Sequence, residues 1–437
     1  MSPVLVLFIA FLILITTGLP LAFSMGSLAV LSILFYWDNV NVLTMLVNTC
    51  NSLTQNPTYL AAPLFMFMGT LLEKSGISDS MFDSMYIVMG RLRGGLAIAT
   101  ILICTLLAAT TGVIAACITL MTMLALPAMM KYKYDFNLAA GSIMAAGSLG
   151  QLIPPSVVMI VYASQAQLSV GKMFAGGIGA GLMFSLMFII YVIIRTIINP
   201  NIAPAISKEE IAKYSSGDKL GLLFKSILPT ILLICAVLGS IMMGVATPTE
   251  GAAVGCFGAL ILIVINKRFS LKMLIETCYS TTLSTAMVFF IIVTASMFTY
   301  VFIGLRGGEL ITAFVTGLPF SRWVILSIIL LILLFIGLFM DSYGLVMISV
   351  PVFCPIIDKL GFDPLWFSIL FVVMMLISYQ TPPFSYAAFY VKGAAKIQIN
   401  LATLYRAAVP FVVIYMIGVV VLCFVPEIIT YIPNKLF

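Results

Sequence analysis

Residues 147–162 read GSLGQLIPPSVVMIVY, with Pro154 and Pro155 in the middle of a segment otherwise apolar enough to cross a bilayer. Neither proline carries a backbone N–H, and the first holds Ile153 away from helical geometry. The carbonyls from Gly150 to Ile153 therefore lose helical donors. In hydrocarbon, such groups persist only where they are buried in protein or line a wet cavity. The stretch predicts a broken helix, serving either as a plain kink or as a site for an ion or polar solute.

A second copy favours the site. Residues 377–390 read ISYQTPPFSYAAFY, and Pro382 and Pro383 follow Pro154 and Pro155 by 228 residues. The same offset relates Tyr390 to Tyr162, Asp363 to Asp135 and Pro355 to Pro127. This pattern predicts an internal duplication without net insertion. Matched breaks in two halves are the sequence-level pointer to a secondary transporter's binding site.

Composition sets the class. The 437 residues are 62% hydrophobic and 8% charged, too little polar surface for a soluble globule. Continuous apolar runs, rather than short alternating ones, predict an all-α polytopic membrane protein in a lipid bilayer, with about 11 to 14 membrane elements. The net charge of +6 comes largely from loop lysines and arginines, and reports orientation rather than nucleic-acid binding. There is no histidine, and the eight cysteines form no CxxC group. A zinc site or a His-dependent nucleophile is thereby disfavoured, and the cysteines read as small apolar residues. The opening run lacks a basic n-region and a cleavage site, so it reads as a retained helix.

The chain divides into a first half, 1–198, a cytoplasmic linker, 199–225, that gathers Lys208, Lys213, Lys219 and Lys225 with three acids, and a second half, 226–437. The polar loop 38–58 carries no Lys or Arg and leans toward the outside. Residues 63–72, cut short by Glu73-Lys74-Ser75-Gly76, are a candidate arm of a re-entrant hairpin, and 307–319 are a second hairpin candidate. One helix stops at Thr110-Thr111-Gly112, and Asp341-Ser342 ends an apolar run at the corresponding place in the second half.

Sodium is a hard cation that prefers oxygen. Carbonyls at Gly150, Gln151 and Ile153, and at Ser378 and Thr381 with its hydroxyl, are candidate ligands, with Ser156 and Ser385 as neighbouring hydroxyls. Asp341, an acid at membrane depth, is a functional candidate. Glu250, in TPTEG, reads as a helix cap, and Asp135 and Asp363 read as turn or cap residues.

Together these residues resemble the large, DctM-type membrane subunit of tripartite ATP-independent periplasmic (TRAP) transporters. The resemblance is carried by Pro63-Leu-Phe, Leu126-Pro-Ala-Met129, Gly147-Ser-Leu-Gly-Gln-Leu-Ile-Pro-Pro-Ser156, Thr247-Pro-Thr-Glu250, Met340-Asp341, Gly361-Phe-Asp-Pro364 and Thr381-Pro-Pro383. It implies an inverted-repeat, elevator-type transporter of the bacterial inner membrane, with two re-entrant hairpins. It also implies sodium as coupling ion without any other cofactor, a small four-helix membrane partner, and a periplasmic solute-binding protein that delivers a carboxylate-bearing solute. A stand-alone carrier or antiporter of similar fold is the alternative; an enzyme is not expected. By position, the sodium-site elements fall at Thr111-Gly112 with Gly150 to Pro154, and at Asp341-Ser342 with Ser378 to Pro382. The chain departs from the usual serine-rich pattern at Gly112-Val-Ile-Ala-Ala116.

Overall fold

The computed structural model describes residues 3–37, 40–206, 221, 224–317 and 319–437, apart from the side chains of Val40, Thr111 and 312–316. Every regular element among them is helical. In the first half these are α1 (Pro3–Thr16), α2 (Leu21–Tyr36), α3 (Leu43–Gln55), α4 (Pro57–Lys74), α5 (Ile77–Met89), α6 (Gly95–Thr111), α7 (Ile114–Lys131), α8 (Phe136–Ser148), α9 (Val157–Gln165) and α10 (Val170–Ile198). The second half contains α11 (Leu228–Met242), α12 (Pro248–Ile265), α13 (Leu271–Gly304), α14 (Gly307–Thr316) and α15 (Arg322–Gly337). It continues with α16 (Ser342–Lys359), α17 (Pro364–Ser378), α18 (Tyr386–Ala394), α19 (Leu401–Phe424) and α20 (Glu427–Leu436). Six described helices are long and apolar enough to span a membrane, and six shorter apolar ones accompany them.

The 228-residue offset reappears in the helix bounds. Shifted by that number, α7 coincides with α16 end to end, and each of α5–α10 overlies its counterpart in α14–α19 to within three residues. The caps repeat as well. Asp135 accepts from Leu138 N at 3.0 Å to start α8, and Asp363 accepts from Leu365 N at 2.7 Å to start α17. A short acceptor at this position satisfies first-turn N–H groups that the helix cannot.

These two capped helices form the core. Every residue from Leu138 to Ser148 in α8 is buried, as is every residue from Trp366 to Ser378 in α17. A helix apolar on all sides belongs inside a bundle. Around the pair, α8 packs on α6, α7 and α19, and α17 packs on α10, α15 and α19. A separate frame forms where α4 packs on α12 and α13, with α2 against α13.

The hairpins fall elsewhere than the apolar-run lengths suggested. Residues 63–72 lie within the continuous 18-residue α4, which starts earlier because Asn56 caps it by accepting from Thr58 N at 3.0 Å. Residues 307–319 contain the single helix α14, residue 318 lying outside the described residues. The first helical hairpin is α6–α7, turned at Gly112 with φ 60° and folded back until Cys117 Sγ reaches the Cys104 carbonyl at 4.0 Å. Its counterpart is α15–α16, joined through residues 338–341. The polar stretch 38–58 also holds a helix, α3.

Of the expected linker, 207–220 and 222–223 lie outside the described residues. Its first residues are partly buried, Ala203 and Ile206 inside and Asn199 to Asn201 exposed. They run back over the bundle as a strap held by main-chain bonds: Asp135 N to Ile202 O (2.7 Å), Gly94 N to Ala203 O (3.0 Å) and Ile206 N to Gly90 O (2.8 Å).

Close approach of α8 and α19 depends on Gly141, where a methyl group would collide with the Ala407 carbonyl and the Phe411 ring. Gly141→Ala is expected to destabilise the protein by about 1–3 kcal/mol through overpacking. Gly393→Ala in α18, where the space is open, is expected to leave stability unchanged or slightly raised. Thermal unfolding of the detergent-solubilised protein compares the two.

Candidate functional site

At the first break, α8 tightens into a single 3-10 turn over Leu149–Gln151 and ends there, because the next two helical donors would be Pro154 and Pro155. Ile153 N still reaches Leu149 O at 2.8 Å. The Gln151 carbonyl, deprived of Pro155 as donor, accepts instead from the Ser156 hydroxyl at 2.8 Å. Ser156 also starts α9 by accepting from Met159 N at 3.4 Å. Among the described residues, no main-chain N–H donates to the Gly150 or Ile153 carbonyl. The break is buried throughout, and the glycine face of α10 admits it: a methyl group at Gly177 would stand 2.5 Å from the Leu152 carbonyl.

The second break differs in detail. The Ser378 carbonyl, whose helical donor would be Pro382, accepts from Thr381 N at 3.1 Å. The Ser378 and Thr381 hydroxyls bond back to Met374 O (2.9 Å) and Ile377 O (2.7 Å), one turn up the helix. Pro382 and Pro383 are exposed, unlike Pro154 and Pro155. Ser385 has φ 38° and a buried hydroxyl without a hydrogen-bond partner.

Each hairpin tip meets the break of its own half. A methyl group at Gly112 would stand 2.5 Å from the Pro155 carbonyl, and one at Gly150 would stand 3.8 Å from Ile114 N. Across the halves, the junction is a single hydroxyl. Ser342 Oγ accepts from Gln151 Nε2 at 2.7 Å and shares a 2.6 Å hydrogen bond with the Tyr379 hydroxyl. Gln151 and Tyr379 are themselves related by the 228-residue offset. Asp341 caps α16, accepting from Tyr343 N at 3.0 Å and Gly344 N at 3.4 Å.

These groups border one cavity of about 460 Å³. The first half contributes Gln151 and the start of α7, residues 113–116; the second contributes Asp341, Ser342 and the rings of Tyr343, Tyr379, Tyr386 and Tyr390. The frame closes it with Glu73 and Lys74 at the end of α4 and with Ser280 and Ser284 on α13. Lys74 Nζ donates to Ser280 Oγ at 2.9 Å and to the Glu276 carbonyl at 3.1 Å. The volume falls within the range of small-molecule sites, with polar groups converging on it from several elements.

Of the residues singled out from the sequence, Gln151, Asp341 and Ser342 therefore line the cavity, and Gly112, Gly150 and Pro155 pack directly behind it. Thr111 ends α6, its side chain lying outside the described ones. Lys74 and the tyrosines were not singled out. The matched pair Tyr162 and Tyr390 was a usable signal for one of them. Glu250 completes a capping box with Thr247, Thr247 N donating to its carboxylate at 2.8 Å. Among the described residues, no three His, Cys, Asp or Glu side chains cluster as a metal site.

Ser342→Ala removes the shared partner of Gln151 and Tyr379 and leaves two buried polar groups unpaired. A loss of about 1–3 kcal/mol in unfolding free energy is expected, measurable by denaturant titration against Ser327→Ala, whose exposed hydroxyl bonds only to Trp323 O.

Comparison with known proteins places these features. The family model described as "Tripartite ATP-independent periplasmic transporter, DctM component" matches residues 8–428. The C4-dicarboxylate TRAP transporter large permease protein DctM of Pseudomonas aeruginosa is 32% identical over 384 residues, covering 88% of each chain. The protein of the same name from Vibrio cholerae is 31% identical over 453 residues, covering 98% of this chain and 97% of its own. Among solved structures, the Alcanivorax borkumensis YdaH transporter superposes with a TM-score of 0.64 over 97% of both chains at 17% identity, a likeness of fold alone.

Proposed function

The chain belongs to the DctM component family of tripartite ATP-independent periplasmic transporters, and from that premise we propose that it is the large permease subunit of a sodium-coupled importer whose small, carboxylate-bearing solute arrives on a periplasmic binding protein. It is a transporter subunit of the bacterial inner membrane and not an enzyme.

The observation that carries this reading is the Gln151–Ser342–Tyr379 junction, which sets both proline breaks on one cavity. Irregular backbone at membrane depth is tolerated where it lines such a space. Lys74 is the cationic side chain among the described lining residues, and its ammonium is held by neutral oxygens. A carboxylate entering the cavity gives it a charge-assisted partner in their place. Sodium takes oxygens at the two breaks: the Gly150 and Ile153 carbonyls in one half, Ser378 and Thr381 in the other, with Asp341 and Ser342 facing them. A cation organising the breaks and a solute seated between them raise each other's affinity by the same factor.

For the motion, the unit of α6–α9 and α15–α18 shifts against the frame of α4, α12 and α13, carrying the cavity contents with it. A small four-helix membrane subunit completes the frame, and the repeats are related by inversion. The two relatives above are named for C4-dicarboxylates, and a solute of that kind fits a cavity with one ammonium and several hydroxyls.

Uptake into proteoliposomes holding this chain and its small partner tests the whole reading. Uptake is expected to require both an inward sodium gradient and the binding protein. Transport indifferent to sodium refutes the coupling, and transport without the binding protein points to a stand-alone carrier. Within that assay, Asp341→Asn and Thr381→Ala are expected to lose sodium dependence. Lys74→Met is expected to raise the half-saturating solute concentration about tenfold, the effect of one charge-assisted hydrogen bond.

A further inference from the structure

The two hairpins differ at one equivalent position, and the difference bears on the solute. Asp341 precedes α16 and its carboxylate occupies the first-turn N–H groups of Tyr343 and Gly344. The residue 228 positions earlier is Val113, which precedes α7 and has no side-chain acceptor to offer. Among the described residues, no main-chain carbonyl accepts from the N–H groups of Ile114 or Ala115, and both residues line the cavity. Exposed first-turn N–H groups carry the positive end of the helix dipole and suit an anion.

A second group on the same cavity points to a ligand independently. Gln151 is only 7% exposed; its Nε2 is committed to Ser342, and its Oε1 is buried without a hydrogen-bond partner. A buried acceptor left unpaired is costly, so a solute that brings a donor gains from it. A carboxylate cannot supply that donor, but a hydroxyl can. Gly150, next in the chain to Gln151, packs against the start of α7, where a methyl group on it would stand 3.6 Å from Val113 O. The anion-seeking N–H pair and Gln151 thus line the same cavity, with Gly150 beside Gln151 in the chain and packed against the start of α7.

We propose that this subunit selects 2-hydroxycarboxylates, the carboxylate seated on the Ile114 and Ala115 N–H groups and the adjacent hydroxyl donating to Gln151 Oε1. The inference rests on the carboxylate-import reading above and narrows its solute.

The test is isothermal titration of the purified large and small subunits, in sodium, with succinate and with each enantiomer of malate. One enantiomer of malate is expected to bind at least tenfold more tightly than succinate, because a site built around a hydroxyl penalises its absence. In Gln151→Leu that ratio is expected to fall to near one. Equal affinities in the unsubstituted protein overturn the hydroxyl selection alone. Failure of both acids to bind overturns the selection proposed here and leaves the carboxylate-import reading to the uptake assay. A Gln151→Leu protein that loses sodium affinity but keeps the ratio makes the glutamine a cation ligand and overturns its role here. Should that variant not fold, Val113→Asp supplies a second readout. By placing a carboxylate where Asp341 has one, it is expected to weaken both acids at least tenfold without lowering the unfolding temperature, and unchanged binding in a folded Val113→Asp protein overturns the proposal.

Discussion

Four prolines without N–H groups set the terms for this molecule. A chain that is 62% hydrophobic folds where water cannot repair a missing hydrogen bond, so each carbonyl that a proline strands must find another donor or face a polar space. The first break answers with the Ser156 hydroxyl for Gln151 and the second with Thr381 N for Ser378. Repair is incomplete at Gly150 and Ile153, and the cavity borders that part of the structure. The same requirement explains why α8 and α17 are buried on all sides. Helices that end in stranded carbonyls are enclosed by others, α10 presenting glycines to let the backbone come close.

Duplication supplied two copies of this arrangement, and the copies have since diverged in chemistry while keeping their geometry. Helix bounds agree across the 228-residue shift, yet one pair of prolines is buried and the other exposed, and one hairpin tip carries an acid where the other carries valine. Gln151 and Tyr379 occupy equivalent places and reach the same serine from opposite halves. A single hydroxyl thus records the near-symmetry of the fold and its breakdown.

Much of this could be read in the sequence because it is local. Proline positions, cap residues such as Asp135, Asp363 and Glu250, and an offset without insertion all act within a few residues, where the backbone rules are strict. Run length misled at residues 63–72, because a proline inside a run and polar residues at its end look like interruption. The helix in fact begins six residues earlier at Pro57, held by an Asn56 cap. The true hairpin turn at Gly112 was visible as a helix stop but not as a reversal, since reversal depends on what α6 and α7 pack against. Lys74 and Ser280 were out of reach for a related reason: they come to the cavity only through tertiary packing of α4 and α13, elements far apart in the chain.

The strap that follows α10 has a mechanical consequence. Its three main-chain bonds fasten the turn before α6 and the turn after α7, the outer ends of the first hairpin, while the tip of that hairpin rests on the Pro155 carbonyl. A lever pinned at both its base and its point has no hinge. Swinging it aside would break roughly 3 kcal/mol of main-chain bonding, at about 1 kcal/mol each, before the contact at the tip is counted. Hairpin, strap and break are therefore one rigid piece, and any displacement large enough to uncover the cavity on this side is borne by the side-chain contacts along α4.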